Sequence, residues 1–467
     1  MKHLTTLAIL LATTSLASAA SNESFILQAG KKNTATVGQF NGNNKQGTAQ
    51  FGNDNNAVTA QQTNGGKGSN LSGTLEIGNK NTSTVGQLGS NNAQGTLQVG
   101  NQNTAVTLQN NDTDNKNRSF TGQFGNGNNS EVGQAGGNNS QTTLQFGAGK
   151  NSNNLAVTGQ LTGVNGDQND SKVIQAGAGN TALVNQDSEG VAGKKSGQGG
   201  ANNQTSLQFG KGNEAVTDQN SIGSGTTKKT DSSGVTNDAA TLQVGTGNFA
   251  STKQSGANAG DTANQTTNAS LTAQFGVDNT SAAKQVNGNN VQSTLQVGKD
   301  NLAKTRQKNA ADDTGAINAS LTAQFGKDNS STANQTNGNN LQGTVQVGKD
   351  NTASTRQKNV DGGTGTNASL TLELGQGNMA TTTQKIANPL NGGINGSLIA
   401  QVGKNNVASV HQADTGLQPM IGANLQATLQ VGNGNSATTV QTASASVSNT
   451  SVTAQFGSHN VAMTTQK

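Results

Sequence analysis

Thr96-Leu97-Gln98-Val99-Gly100-Asn101-Gln102-Asn103-Thr104-Ala105-Val106-Thr107-Leu108-Gln109 is one copy of the phrase on which the whole chain is built. Residue types alternate with a period of two on both sides of Gly-x-x-Asn, which is the pattern of strands. Thr96, Gln98 and Gly100 share one face of a first strand, with Leu97 and Val99 on the other. Asn103, Ala105, Thr107 and Gln109 share one face of a second. Gly and Asn tolerate left-handed backbone angles, so Gly-x-x-Asn predicts a tight turn between the two strands.

Reduced to Gln-x-Gly-x-x-Asn-x-(Ala/Ser)-x-x-x-Gln, the phrase recurs 17 times, starting at Gln28, Gln50, Glu76, Gln98, Gln123, Gln145, Gln175, Gln208, Gln243, Gln274, Gln296, Gln324, Gln346, Glu373, Gln401, Gln430 and Gln455. Copies lie 22 to 35 residues apart. A period in that range marks a stacked architecture whose units cover only their neighbours. The second turn is legible where copies are closest, at Asn41-Gly42-Asn43-Asn44, Asn287-Gly288-Asn289-Asn290 and Asn337-Gly338-Asn339-Asn340. Longer spacings place polar surface loops between the closing Gln and the next first strand, as over Asn220 to Asp238. The segment Asn268 to Asn309 matches Asn318 to Asn359 at an offset of 50 residues. Only the copy at Gln145 is interrupted, by about four residues before Asn154, Ala156 and Gln160, and a local bulge is expected there.

Composition excludes an ordinary oil-drop core: 29% of the 467 residues are apolar and 2% aromatic, with no Trp, Tyr or Cys and two Pro. A solvated linker, however, has no physical reason to hold amides in register over the whole chain, so the chain is expected to order by stacking. Met1-Lys2-His3, the apolar run Leu7 to Ala12 and Ala17-Ser18-Ala19 read as a secretory signal over residues 1–19, leaving 20–467 as a single repeat array. No later stretch approaches the roughly 20 apolar residues of a membrane span. Removing the signal lowers the formal charge from +4 to +3, since 28 basic residues become 27 against 24 acidic. That surplus is too small to point to nucleic acid. Absence of Cys excludes disulfide staples.

These features predict an all-β fold, a β-solenoid of about 17 strand-turn-strand coils. If coils stack about 4.8 Å apart, each Gln sits over the equivalent Gln of the next coil. A column of amides carries both donors and acceptors and can satisfy itself without water, which is the chemistry of cross-β packing. Either these amides face inward and the apolar row after the first Gln (Phe51, Val99, Phe275, Val297, Phe325, Phe456) faces out, or the reverse. The amides vary least in type among the copies, which favours the first.

With its five fixed positions, the phrase resembles the curlin repeat, the unit of bacterial curli fibres, over essentially all of residues 24–467. The resemblance implies a solenoid, export across the outer membrane with the help of secretion and nucleator proteins, nucleated polymerisation, and a fibre on the cell surface that builds biofilm matrix and mediates adhesion. It also implies that residues such as Gln98, Asn103, Ala105 and Gln109 point inward. Known members carry far fewer units, so the chain reads as an extended one. Only Ala20 to Glu23 precede the first strand, where the family has a polar export segment.

A stack of 17 coils is expected to form a rod on the order of 80 Å long, with unpaired strand edges at both ends. Gln28, Asn33 and Gln39 at one end are expected to pair with Gln455, Asn460 and Gln466 of another copy. The same ladder roles fall to Gln98, Asn103 and Gln109, and to Gln296, Asn301 and Gln307, inside the stack.

No enzyme, cofactor or metal is expected. His411 and His459 are the only histidines after the signal, sit in separate copies and have no recurring carboxylate or nucleophile partner. Asp54, Asp278, Asp300, Asp328 and Asp350 recur in Gly-x-Asp-Asn turns and read as local turn-formers, since calcium needs several converging oxygens. Lys304, Arg306 and Arg356 read as outward charges, and Gly177-Ala178-Gly179 lacks the context of a phosphate loop. The rival function class is a monomeric adhesin or ice-binding solenoid, hinted at by Thr34-Ala35-Thr36 and Thr82-Ser83-Thr84.

Overall fold

A computed structural model describes residues 22–63, 68–111, 115–147, 149, 152–163, 168–189, 200–222, 235–257, 266–310, 315–360, 365–387, 392–415, 422–444 and 447–467. The expected signal lies outside these residues, as do positions 148, 150 and 151 of the interrupted copy and 223–234 of the longest inserted loop. Every regular element among the described residues is a strand, numbered β1 to β34 along the chain. The fold is a β-solenoid. It divides into two compact units, up to Gly179 and from Asn180.

The first unit opens with β1 (Glu23–Lys31), β2 (Thr34–Phe40), β3 (Asn43–Asn53), β4 (Asn56–Gln62), β5 (Ser69–Asn79), β6 (Thr82–Gly89), β7 (Asn92–Asn101) and β8 (Thr104–Asn111). Odd-numbered strands pair in parallel with odd, as in β1–β3, β3–β5 and β5–β7. Even-numbered strands pair with even, as in β2–β4, β4–β6 and β6–β8. Two parallel sheets thus face each other, one coil contributing a strand to each. Register follows the phrase without slippage: Gln98 lies over Gln123 and Gly100 over Gly125.

The second unit repeats the plan. Its β25 (Asn339–Lys349), β27 (Thr366–Gln376) and β29 (Ile394–Lys404) form one sheet, with β26 (Thr352–Lys358), β28 (Met379–Ile386) and β30 (Val407–Asp414) opposite. The insertion is narrower than the surface loop expected over Asn220 to Asp238: residues 220–222 continue β16 (Glu214–Ile222) and residues 235–238 open β17 (Val235–Thr246), because inward Ser221 and Asn237 are buried in the stack, and both strands keep register with the next coil. Beyond the interruption after Gln145 the stack resumes: Asn154 reaches Asn128 Oδ1 at 3.0 Å, and Ser152 is buried beside Asn128.

The turns form where expected, for a reason that differs in part. Gly100 has a φ of 128° and Gln102, the residue before Asn103, a φ of 58°, so the left-handed corner belongs to Gly and to the position before Asn. Asp54, Asp278, Asp300, Asp328 and Asp350 fill that corner with φ between 54° and 59°, as suits Asp. Asn103 itself is buried and inward, and it is retained for its side chain. The Gly column has a steric cause as well. A Cβ at Gly100 would overlap the carbonyl oxygen of Gly125 in the next coil.

The amides face inward and the apolar row outward. Phe124 and Phe146, on adjacent coils, stack on the outer surface with ring centroids 5.1 Å apart. Leu108, next to a buried Gln, is 56% exposed. Inside, the apolar share is mainly Ala and Val, with Ile386 and Ile399 the large exceptions. Small residues let the two sheets approach closely enough for the amides between them to bond.

Candidate functional site: the stacked amide ladders

Each coil contributes four inward ladder positions, filled by amides except at Glu76 and Glu373 and buried in all but the end coils, and each position belongs to a column. In the first unit the first-Gln column runs Gln28, Gln50, Glu76, Gln98, Gln123, Gln145, Gln175, and the closing-Gln column runs Gln39, Gln61, Gln87, Gln109, Gln134, Gln160. Gln98 and Asn103 are fully buried and Gln109 nearly so, as are Gln296, Asn301 and Gln307 in the second unit. The structure therefore brings every sequence-derived ladder residue into a column.

The columns have a direction. Within a unit a closing Gln donates its Nε2–H to Oε1 of the next copy: Gln39 to Gln61 at 2.8 Å, Gln87 to Gln109 at 2.9 Å, Gln109 to Gln134 at 2.7 Å. In the second unit Gln285 donates to Gln307 at 2.9 Å and Gln441 to Gln466 at 2.7 Å. First-Gln residues do the same, from Gln28 to Gln50 at 2.6 Å and from Gln430 to Gln455 at 2.8 Å. Inside the stack the Nε2 also donates to a backbone carbonyl, as Gln98 does to Thr82 O at 3.0 Å and Gln109 to Ala93 O at 3.2 Å. That carbonyl fixes which way the amide points.

Turn asparagines run the opposite way. Asn103 Nδ2 donates back to Asn81 Oδ1 at 3.2 Å and forward to Gly125 O at 2.9 Å, while its Oδ1 accepts the Asn128 backbone N–H at 3.1 Å. In the second unit Asn301 donates to Asn279 Oδ1 at 2.9 Å, and Asn460 to Asn435 Oδ1 at 3.0 Å. One side chain thus ties three coils together, and a buried amide meets its full hydrogen-bonding requirement without water.

The fourth column was not anticipated. Asn stands six residues before the first Gln or Glu of every copy, from Asn22, Asn44, Asn70 and Asn92 to Asn424 and Asn449. Asn44 donates to Asn22 Oδ1 at 3.0 Å, Asn92 to Asn70 at 3.0 Å and Asn449 to Asn424 at 2.9 Å. Counting forward from the closing Gln crosses loops of varying length and hides this position; counting back from the next Gln reveals it.

The end coils expose the ladder. Gln28 lies exposed on the β1–β2 face, with Asn33 and Gln39 half-buried beside it. On the face formed by β33 (Ser448–Ser458) and β34 (Val461–Gln466), Asn460 and Gln466 are half-buried and Gln455 is 6% exposed.

Two ladder positions are acids. Gln50 donates to Glu76 Oε2 and Gln346 to Glu373 Oε2, both at 2.7 Å. Burial pushes both carboxyls up to about 8, against the opposing pull of those amides and, at Glu373, of the Ala380 backbone N–H.

Residues set aside as non-functional lie away from the columns. His411 is exposed, His459 occupies a left-handed turn corner with a φ of 58°, and Lys304, Arg306 and Arg356 are exposed. Among the described residues no helix is long and apolar enough to cross a membrane. No protein-family model matches the chain, and no curated protein matches its sequence.

Proposed function

We propose that the chain is a structural subunit of the curlin type, secreted to the bacterial surface, where it polymerises end to end into cross-β fibres for biofilm matrix and adhesion. The observation that carries this reading is the polarity of the ladders. The β1–β2 face offers the Oε1 acceptors of Gln28 and Gln39, and the β33–β34 face offers N–H groups of Gln455 and Gln466. The asparagine column runs in reverse, so Asn33 brings donors to meet Oδ1 of Asn460. Head-to-tail addition of a second copy continues every column, whereas head-to-head addition sets oxygen against oxygen. Outer-membrane secretion and nucleator proteins are the partners that such a subunit requires.

A monomeric ice binder needs a regular outward Thr row. At the level of Thr34 the outer row continues as Asn56, Thr82, Thr104, Asn129 and Leu155, which is a poor template. The test is to purify residues 20–467, incubate them, and record fibre diffraction and seeding by preformed material. Reflections near about 4.7 and 10 Å with elongation of seeds support the proposal. A chain that stays monomeric at high concentration overturns it.

A further inference from the structure

The first-Gln column is interrupted once in each unit, both times at glutamate. Elsewhere the Gln side chain fills two slots: Oε1 accepts from the copy before, and Nε2 donates to the copy after and to a backbone carbonyl. Glu76 and Glu373 place Oε2 in the acceptor slot. Their Oε1 atoms stand in the donor slot, and there Glu76 Oε1, Gln98 Oε1, Glu373 Oε1 and Gln401 Oε1 are all buried without a hydrogen-bond partner. The same defect, two orphaned acceptors on successive coils, occurs twice in register.

Turning the next amide over does not repair it. Gln98 Nε2 is held by Thr82 O at 3.0 Å and Gln123 Oε1 at 2.8 Å, and Gln401 Nε2 by Met379 O at 3.1 Å and Gln430 Oε1 at 2.8 Å. A reversed amide would set oxygen against the carbonyl and move the mismatch one coil along. A proton on the carboxyl repairs it with no movement of heavy atoms.

We propose that Glu76 and Glu373 are neutral carboxylic acids in the folded coil, each completing its ladder by donating Oε1–H to the Oε1 of Gln98 or Gln401, and that loss of this proton to solvent opens the column at these two coils. No titratable or charged side chain among the described residues faces either acid. Around Glu76 the inward residues of β3, β4, β6 and β7 are Asn, Gln, Thr, Ser, Ala, Val and Gly, and around Glu373 those of β25, β26, β28, β29 and β30 add only Ile and, at the far end of β30, Asp414. Asp414, the remaining buried acid, sits beyond Gln412 at the other end of its strand, against Gly393 and Gly422. Burial raises both acids from 4.5 to about 8. Below about 4.5, folded and unfolded chains both carry the protons, and the coil keeps its full stability. Between about 4.5 and about 8 only the folded coil holds them, so stability falls as pH rises. Above about 8 both states are ionised and the loss is complete.

The six glutamates of the chain make this directly observable. With 13C-carboxyl glutamate incorporated into the secreted chain, infrared spectra at about pH 6 should retain the C=O stretch of a neutral acid from two of the six side chains. Glu76→Gln and Glu373→Gln should each remove half of that band, and the double variant all of it. The urea midpoint of the unsubstituted chain should fall between about pH 4.5 and about pH 8, and the double variant, whose ladder is continuous, should lose most of that fall. Absence of a neutral-acid band at about pH 6, or a midpoint that falls equally in the double variant, overturns the proposal. Neither readout requires fibres, so the result stands apart from that of the polymerisation test.

Discussion

At the scale of a residue, the protein inverts the usual division of labour: polar side chains are buried and large apolar ones are on the surface. An inward amide is satisfied only because its neighbours are identical, so its removal orphans two partners. Gln109→Ala leaves one Gln87 Nε2–H and Gln134 Oε1 unpaired and should cost about 2–5 kcal/mol in urea denaturation. Leu108→Ser, one position away and outward, should change stability by less than about 0.5 kcal/mol; an equal cost at both sites would contradict the inward placement. Thr107 tests the rule from the other side. Its Oγ1 is buried without a partner between Val85 and Val132 of the adjacent coils. Thr107→Val should therefore stabilise the coil by about 1 kcal/mol, seen as a higher urea midpoint with an unchanged slope. The first-Gln, turn-Asn and closing-Gln ladders were legible in the sequence from their recurrence, whereas the column through Asn44 and Asn92 was not, because loops of varying length separate it from the closing Gln. The character of Glu76 and Glu373 was not, because their first-position slot shows only that a side chain of glutamine's shape is wanted. Whether its second oxygen meets a donor depends on the amide direction fixed by carbonyls such as Thr82 O.

At the scale of an element, strands and turns were legible because a period of two and Gly-x-x-Asn each have a local cause. Which strand face is buried was not fixed by that pattern, since amides alternate with apolar residues as regularly as the reverse. Close packing of small inward Ala, Ser and Thr between the sheets settles it, and that is a property of the coil rather than of the strand. Asn103 was correctly placed at a turn for an incomplete reason: the corner's left-handed angle falls on Gln102, and Asn103 works through its amide. Turn substitutions separate the two roles. At Asp350, with a φ of 59°, Asp350→Gly should be neutral within about 1 kcal/mol, whereas Asp350→Val should cost about 1–2 kcal/mol. Gly100→Ala meets both a forbidden angle and the Gly125 carbonyl and should cost at least about 3 kcal/mol. Thermal or urea unfolding of the three variants ranks them, and a Gly100→Ala chain as stable as Asp350→Gly would contradict the column argument.

At the scale of the molecule, stability is assembled from many equivalent layers, with surface ion pairs adding little. Lys299–Asp300, Lys327–Asp328 and Lys349–Asp350 lie 3.5 to 3.8 Å apart on exposed corners, where such pairs contribute about 0–1 kcal/mol each. A substitution in a middle coil weakens one layer, while a substitution on an end face alters what the next copy meets, so the two should separate stability from growth. End-to-end growth as proposed requires that the amide columns continue from one molecule into the next with fixed polarity. Its most direct test is the elongation rate of seeds of the unsubstituted protein fed with Gln455→Lys/Gln466→Lys chains, compared with chains carrying Gln109→Ala. The charged β33–β34 face should slow elongation by at least about 10-fold, since unpaired buried charge costs well over the 1.4 kcal/mol that corresponds to that factor, while Gln109→Ala chains should still add to seeds. Equal elongation by all three proteins, or no elongation by the unsubstituted chain, would contradict it.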